Sequence, residues 1–275
     1  MLRVLRTALG WLYTALIVVF LLLPIILLIP ASLTDSEFLE FPPNRLTTRW
    51  YSSVLQDTDW LSSAMLSLRI ALVAAVIATA AGLVVAVAQL RTGELRGWQR
   101  GFLLLPMLLP HIIAATGLFI LALNTETIGQ EWLLVAVNSA VALPVVLLLL
   151  LSAFDTVDPL LWTAASTLGA RPLKIMRAII APLVIISVVI AFVLSFHSAW
   201  DETVFAVFIG PHFTPTLPAR LYAYLLQNVT PAVAAVATML LAATILGALL
   251  VLGLQRLRSR LARAAAEAQA AGDTA

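Results

Sequence analysis

Asp201 and Glu202 are adjacent carboxylates inside a long apolar run, residues 178–210. A charge at the centre of a membrane helix costs about 2.5 to 3.5 kcal/mol on insertion scales, so acids in such runs usually face a helix-bundle interior or a water-filled cavity. Trp200 and His197 lie just before them, and an indole ring can offer a cation–π face. This group of residues predicts a pathway for a cationic solute.

The order of importance within this group follows from helical geometry. Adjacent residues on a helix point about 100° apart, so only one of the two carboxylates can aim straight inward. We expect that one to be Asp201. The alternative is that the helix breaks at this point and both acids lie at the outer interface.

No pattern for enzymatic chemistry accompanies these acids. The sequence contains no phosphate-binding loop with glycine and lysine, no metal-ligand cluster at usable spacing, no catalytic triad and no cysteine. We therefore expect a protein that is not an enzyme and holds no cofactor of its own.

The composition requires a membrane. Hydrophobic residues make up 62% of the chain and charged residues 11%, with a mean hydropathy of +1.04. Ordinary globular chains are roughly half apolar and a quarter charged. Since a helix needs about 20 apolar residues to cross the hydrocarbon, the apolar runs predict an all-α protein with six spans, the first an uncleaved anchor. These spans are residues 11–31, 64–90, 101–123, 132–153, a part of 178–210 and a part of 232–254.

The basic residues predict the orientation. With the N-terminus inside, twelve of the 16 Lys and Arg residues are cytoplasmic, which follows the positive-inside rule. The cytoplasmic set is Arg3, Arg6, Arg91, Arg96, Arg100, Arg171, Lys174, Arg177, Arg256, Arg258, Arg260 and Arg263. The remaining set, outside or near the outer face, is Arg45, Arg49, Arg69 and Arg220. Both termini are then cytoplasmic.

The longest cytoplasmic loop joins the fourth and fifth spans and contains the segment "TAASTLGARPLKIM", residues 163–176. Asp158 is placed to cap a short helix that starts at Pro159. Gly169 is placed to end that helix, and Pro172 to open a second one. The pattern predicts a helix, a glycine turn and another helix, with a small-residue face that another protein can approach closely.

This loop resembles the cytoplasmic-loop motif of ABC-importer permeases, E-A-A-x-x-x-G followed by nine residues and I-x-L-P. Ala164, Ala165 and Gly169 match it, and so do Ile179 and Pro182. Two positions depart from the pattern, because Thr163 replaces the usual Glu and Ala181 the usual Leu. The segments "LLLPMLLPHIIAATGL" and "AWDETVFAVFIGP" extend the resemblance over roughly residues 60–255. Within the family they are similar to the second permease of the polyamine-type branch, which also includes permeases for opines, aminophosphonates and ferric iron.

The resemblance implies the six-helix fold of type I importer permeases and a place in the bacterial inner membrane. It implies that a coupling helix in loop 155–177 docks on an ATPase subunit through Thr163, Ala164, Ala165, Gly169 and Arg171. ATP and magnesium are then bound by partner ATPase subunits. The other implied partners are a second permease, identical or different, and an external solute-binding protein. The implied domains are residues 1–60 with the first span, the core 61–255, and a cytoplasmic tail 256–275.

Other classes of protein fit the sequence less well. In membrane helices, small residues before a glycine are more often packing positions, but here they lie in a loop and are followed by three cations, Arg171, Lys174 and Arg177. An ion-coupled secondary carrier usually shows internal repeats or paired broken spans, which the sequence does not reveal. A membrane-anchored signalling or assembly protein does not need the spacing of this loop. The residues leave the identity of the solute open.

The topology is testable with reporter fusions. We expect fusions after Asp59 and after Gly97 to report opposite sides of the membrane, because the second predicted span separates them. Alkaline phosphatase and green fluorescent protein reporters measure this directly. Two fusions on the same side would mean that the number of spans is wrong.

Overall fold

The computed structural model describes residues 2–93, 95–227 and 230–272, and these residues are almost entirely helical. One isolated antiparallel bridge joins Thr34 to Leu46. The helices are α1 (Leu2–Ser32), α2 (Arg49–Gln56), α3 (Thr58–Thr92), α4 (Gly97–Leu108), α5 (His111–Asn124), α6 (Glu131–Phe154), α7 (Pro159–Thr167), α8 (Pro172–Ile175), α9 (Ala181–Trp200), α10 (Val204–Ile209), α11 (Leu217–Gln227) and α12 (Pro231–Gly272), with a π-helical turn at Met176–Ile180.

Five of the helical segments in the described part of the chain are long and apolar enough to cross a membrane. They are Leu9–Ser32, Thr58–Thr92, Glu131–Phe154, Pro172–Trp200 and Pro231–Leu257. These segments agree with the first, second, fourth, fifth and sixth predicted spans. The predicted tail, residues 256–275, is helical as far as Gly272, and its last three residues lie outside the described part.

The third predicted span, residues 101–123, is not one continuous helix. Helices α4 and α5 meet at an angle of 90°. Leu109 has an extended backbone with ψ 129°, the conformation that steric contact with a following proline favours, and the next residue is Pro110. If α4 and α5 together form one membrane span, that span is broken between the two helices. The run predicted as the third span is therefore broken before Pro110, whereas Pro24 and Pro144 lie inside helices.

The apolar run that contains the fifth predicted span is also interrupted. Pro182 has no N–H to donate, and beside it the Ala181 N–H bonds five residues back to the carbonyl of Met176, which gives the π-helical turn. The helix then ends at Trp200, and α10 begins after Thr203. The apolar run 178–210 is therefore split at Asp201 and Glu202, which is the helix break considered as the alternative.

The chain divides into two compact units, residues 1–62 with 220–243, and residues 63–219 with 244–275. In the first unit, α1 leaves its apolar surface exposed, with none of its most apolar window buried. The loop that follows is fastened to α2, because the Trp50 Nε1–H donates to the Thr34 carbonyl at 2.8 Å and Ser32 Oγ lies 2.6 Å from Tyr51 Oη. The predicted domain boundaries remain predictions.

The second unit holds both candidate sites, and its core forms around α6 and α9. One cluster of buried residues includes Leu147, Leu150, Phe154, Ile180 and Val184. Helix α3 joins the same cluster through Ala78 and Ala86. A Cβ added to Gly82 of α3 would lie 2.5 Å from Val146 Cγ1 on α6, so the close approach of these helices requires glycine there.

We expect Gly82→Val to destabilise the protein by about 1 to 3 kcal/mol, because an inserted side chain must displace the buried Val146. Gly117→Val is the matched control, since a Cβ at Gly117 has no neighbour within 4 Å and the cost of a β-branched residue in a helix is shared. The melting temperature in detergent measures the difference. Equal melting temperatures for the two variants would contradict the close packing of α3 on α6.

Candidate pathway and coupling sites

Loop 155–177 forms the short helices that its sequence predicts. The Asp158 carboxylate accepts a hydrogen bond from the Leu160 N–H at 2.8 Å, and Pro159 occupies the first turn of α7. This cap satisfies one of the donors that the start of a helix leaves open. Helix α7 therefore begins where the sequence predicts.

A Schellman motif ends α7. The Ala170 N–H donates to the Ala165 carbonyl and the Gly169 N–H donates to the Ser166 carbonyl, both at 3.0 Å. Gly169 has φ +78°, in the left-handed region that glycine adopts at low cost. Arg171 then occupies the N-cap position of α8, and Pro172 lies in the first turn of that helix. The predicted order of helix, glycine turn and helix is confirmed.

The predicted contact residues of the loop do not all share one face. Thr163, Ala164, Gly169 and Arg171 are exposed, but Ala165 is only 9% exposed and belongs to the core cluster of its own unit. Leu168, which the sequence analysis did not select, is 87% exposed. The buried Ala165 thus packs α7 against the core of its unit, and the exposed surface of the turn includes the apolar side chain of Leu168.

Two polar contacts hold the loop against the rest of its unit. The buried Gln89 of α3 donates from Nε2 to the Asp155 carboxylate at 2.8 Å. The Arg91 guanidinium lies 5.2 Å from the centre of the Trp162 ring on α7. Thr163, which replaces the family's usual Glu, lies within 3.4 Å of the Pro159 carbonyl through Oγ1. The loop is therefore a rigid attachment of α3 and α6.

The second candidate site is the break after α9. The Glu202 side chain is only 6% exposed, and its two oxygens accept hydrogen bonds from the Val204 N–H at 3.2 Å and the Phe205 N–H at 2.9 Å. The carboxylate therefore caps α10. A buried charge needs such partners, because an isolated one is strongly unfavourable.

The expected order of the two acids is reversed with respect to burial. Asp201 is exposed and Glu202 is buried. The prediction assumed a continuous helix, but Asp201 is the C-cap of α9, so the chain turns between the two residues. Glu202 is therefore the buried acid of the pair, and the ranking of Asp201 as the acid that faces the pathway remains a prediction.

Trp200 and His197 lie on the last turn of α9. The Trp200 ring stacks on Phe196, with ring centres 5.9 Å apart, and packs beside Ala71 and Ala74 of α3. His197 is half-buried, and its carbonyl accepts the Asp201 N–H at 3.1 Å. In this structure Trp200 is thus a packing residue next to the break, and the predicted pathway role of both residues remains a prediction.

His111 is the residue that the structure brings unexpectedly close to Glu202. Its Nδ1 atom lies 3.7 Å from Glu202 Oε1, and its ring lies 5.6 Å from that of Phe205. From the sequence, His111 was expected to be a bundle-interior residue rather than a contact of the solute. The sequence signal for this contact was Pro110, which directly precedes His111 and breaks the third predicted span. The contact places this break beside the one after α9.

A second ion pair lies in the same unit. Arg69 of α3 and Glu131 at the start of α6 form a bidentate pair, with both N–O distances 2.6 Å. Such a geometry fixes two planar groups against each other. It ties α3 to α6 near the predicted outer ends of these helices.

Residues 78–263 match the model of the family described as "binding-protein-dependent transport system inner membrane component". The chain belongs to this family. The family is thus the one implied by the resemblance in the coupling loop, and the chain is a multi-pass transport component of the inner membrane.

Known proteins agree with this assignment. The chain is 34% identical over 225 residues to the spermidine/putrescine transport system permease protein PotC of Escherichia coli K12, covering 81% of this chain and 84% of PotC. It is 29% identical over 236 residues to the putrescine transport system permease protein PotI of the same organism, with 82% of each chain covered. The predicted similarity to polyamine-type permeases is confirmed.

Solved structures share the fold. A chain of a bacterial ABC transporter involved in the import of the acidic polysaccharide alginate superposes with a TM-score of 0.69 at 16% identity, covering 90% of this chain and 96% of that chain. A chain of the methionine transporter MetNI, in an inward-facing conformation, gives a TM-score of 0.52 at 19% identity, covering 74% and 94%. The predicted all-α permease fold is confirmed.

We expect Gly169→Val to uncouple transport from ATP hydrolysis, because a β-branched residue at φ +78° costs roughly 1 to 2 kcal/mol and disturbs the turn. Gly129→Val is the matched control: Gly129 also has φ +78°, but it lies in the loop between α5 and α6, on the opposite side of the predicted topology. ATPase stimulation by the loaded binding protein, measured in the assembled importer, reports coupling. Normal stimulation in Gly169→Val at normal expression would remove the coupling assignment.

Proposed function

We propose that this chain is a translocation subunit of an ATP-driven importer for small cationic solutes of the polyamine class. The observation that carries the proposal is the buried Glu202 carboxylate at the break of the fifth span, with the exposed Asp201 beside it. The names of PotC and PotI support the same class of solute. A polyamine is a string of ammonium groups joined by short aliphatic segments, and carboxylates near apolar walls suit both parts.

The proposed partners follow from the family. An external binding protein delivers the solute, two ATPase subunits bind ATP and magnesium, and a second permease, identical or different, completes the pathway. ATP binding closes the ATPase pair, and the coupling loops then move the spans from an inward-facing to an outward-facing state. The orientation with both termini in the cytoplasm places loop 155–177 on the side where ATP is available.

The contacts of the coupling loop support this mechanism. A loop transmits motion only if it is stiff relative to the helices that it moves. The Gln89–Asp155 hydrogen bond and the Arg91–Trp162 contact fasten the loop to α3 and α6. Docking at the exposed Leu168 would therefore displace these helices as well as the loop.

The two acids suit a pathway that binds weakly and releases. Asp201 is exposed and meets a hydrated cation with little desolvation. Glu202 already accepts two backbone N–H hydrogen bonds, which stabilise part of its negative charge before a cation arrives. A shallow site is sufficient, because high affinity is the task of the binding protein and would slow release here. An aminophosphonate, with its anionic group, would be repelled by the same pair.

We expect the double variant Asp201→Asn, Glu202→Gln to reduce uptake of putrescine or spermidine at least about tenfold, since a hydrogen bond to a charged group contributes roughly 1.5 to 3 kcal/mol. Glutamine keeps one acceptor oxygen for the α10 cap, so the change is mainly one of charge. Uptake is measured in vesicles with the binding protein and ATPase present.

Asp57→Asn serves as the control, because Asp57 is an exposed carboxylate in the predicted outer loop whose Oδ1 accepts a backbone N–H that asparagine can also bind. Unchanged uptake in the double variant would show that the acids are interfacial. Uptake by the permease without an ATPase would instead favour an ion-coupled carrier.

A further inference from the structure

The breaks of two predicted spans lie against each other in the second unit. His111 is the first residue of α5, directly after Pro110, and Glu202 lies in the turn before α10. The Nδ1 to Oε1 distance of 3.7 Å is too long for a direct hydrogen bond, but it is within the range of a strong electrostatic contact. Among the described residues, His111 is the basic side chain that lies beside this carboxylate.

A cavity of about 340 Å³ opens next to this pair. Its walls are apolar and include Leu109, Leu118, Val137 and Phe205, and His111 is the one polar side chain that lines it. The Glu202 carboxylate does not line the cavity, although the Phe205 N–H is bonded to it. The half-exposed imidazole therefore lies between the cavity and the carboxylate.

We propose that the space occupied by the His111 imidazole is an alkylammonium subsite of Glu202, so that His111 determines which cations reach this carboxylate. The proposal rests on the proposed function and assigns a cation position within it. When the imidazole turns aside, an ammonium group takes its place beside Oε1 and the attached methylene chain lies along the apolar walls. A rigid or heavily hydrated cation, such as a metal ion, has no aliphatic chain that could pack against those walls.

The chemistry of the cavity selects this class of ligand. A purely apolar cavity would favour uncharged solutes, and a cluster of carboxylates would favour metal ions. One carboxylate behind an apolar space fits a single charged head on an aliphatic segment, which is the repeating element of a polyamine. The imidazole occupies the position beside Oε1 when no solute is present.

Cysteine labelling tests the subsite without relying on transport, because the chain contains no cysteine of its own. In the importer reconstituted in nanodiscs, His111→Cys is treated with aminoethyl methanethiosulfonate, an alkylammonium, or with sulfonatoethyl methanethiosulfonate, an anion. We expect the ratio of cation to anion labelling rates to be at least about tenfold higher than for Leu118→Cys, given the short distance to the carboxylate. Putrescine should slow the cationic labelling.

Leu118→Cys is the matched control, because Leu118 lines the same cavity about 10 Å further along α5, roughly the distance over which exposed charges are screened. In the background of Glu202→Gln, the labelling ratio at position 111 should fall to that of Leu118→Cys. A ratio that is unaffected by Glu202→Gln would overturn the subsite.

Uptake by His111→Lys and His111→Gln tests the selecting role. A lysine keeps an ammonium permanently beside Glu202, so uptake of putrescine should fall at least about tenfold relative to the glutamine variant. A purely structural role of the imidazole would instead affect both variants alike, and that result would overturn the proposal. If the wild-type importer moves no cationic solute, the proposed function fails, while the labelling ratio still decides whether the subsite exists.

Discussion

A break in a membrane helix leaves N–H and C=O groups that lipid cannot satisfy, and the chain must satisfy them from within. The interruption after α9 obeys this constraint. Glu202 accepts the first N–H groups of α10, and the Asn138 side-chain amide lies 3.4 Å from the Ala199 carbonyl near the end of α9. The Gly129 N–H, beyond α5, donates to the Ile209 carbonyl. Glu202 thus satisfies backbone groups at the break and is also an acid of the proposed pathway.

Local caps and contacts with α3 fix the conformation of loop 155–177. Its two short helices depend on Asp158, Gly169 and Pro172 to start and stop, and these residues leave the exposed face to Leu168 and Ala164. Because the loop is fastened through Gln89 to Asp155, a force on that face reaches α3 directly. The second unit thus contains a loop that is fastened to α3 and, further along, the acids at the break after α9.

Most of the fold could be predicted from composition and local signals, but the breaks could not. The caps at Asp158 and Gly169 depend on residues within a few positions, so the sequence revealed them. Near the end of α9, by contrast, the Ala199 carbonyl lies close to the Asn138 amide of another helix. The sequence therefore did not show that Asp201 would be exposed and Glu202 buried. The contact of His111 with Glu202 joins residues 91 positions apart in the sequence, beyond the reach of any local pattern.

The proposed function would give Glu202 two tasks that oppose each other. As a cap it must hold the start of α10, and as the proposed cation site it would also have to bind a solute that arrives and leaves. A carboxylate can do both because its two oxygens have about four acceptor positions in all, and the backbone uses two of them. The oxygen at 3.2 Å from the Val204 nitrogen is also the one that faces His111, whereas the shorter bond to Phe205 uses the other oxygen. The start of α10 is thus held mainly by Oε2, so the proposed exchange of the group beside Oε1 would leave the shorter backbone bond intact.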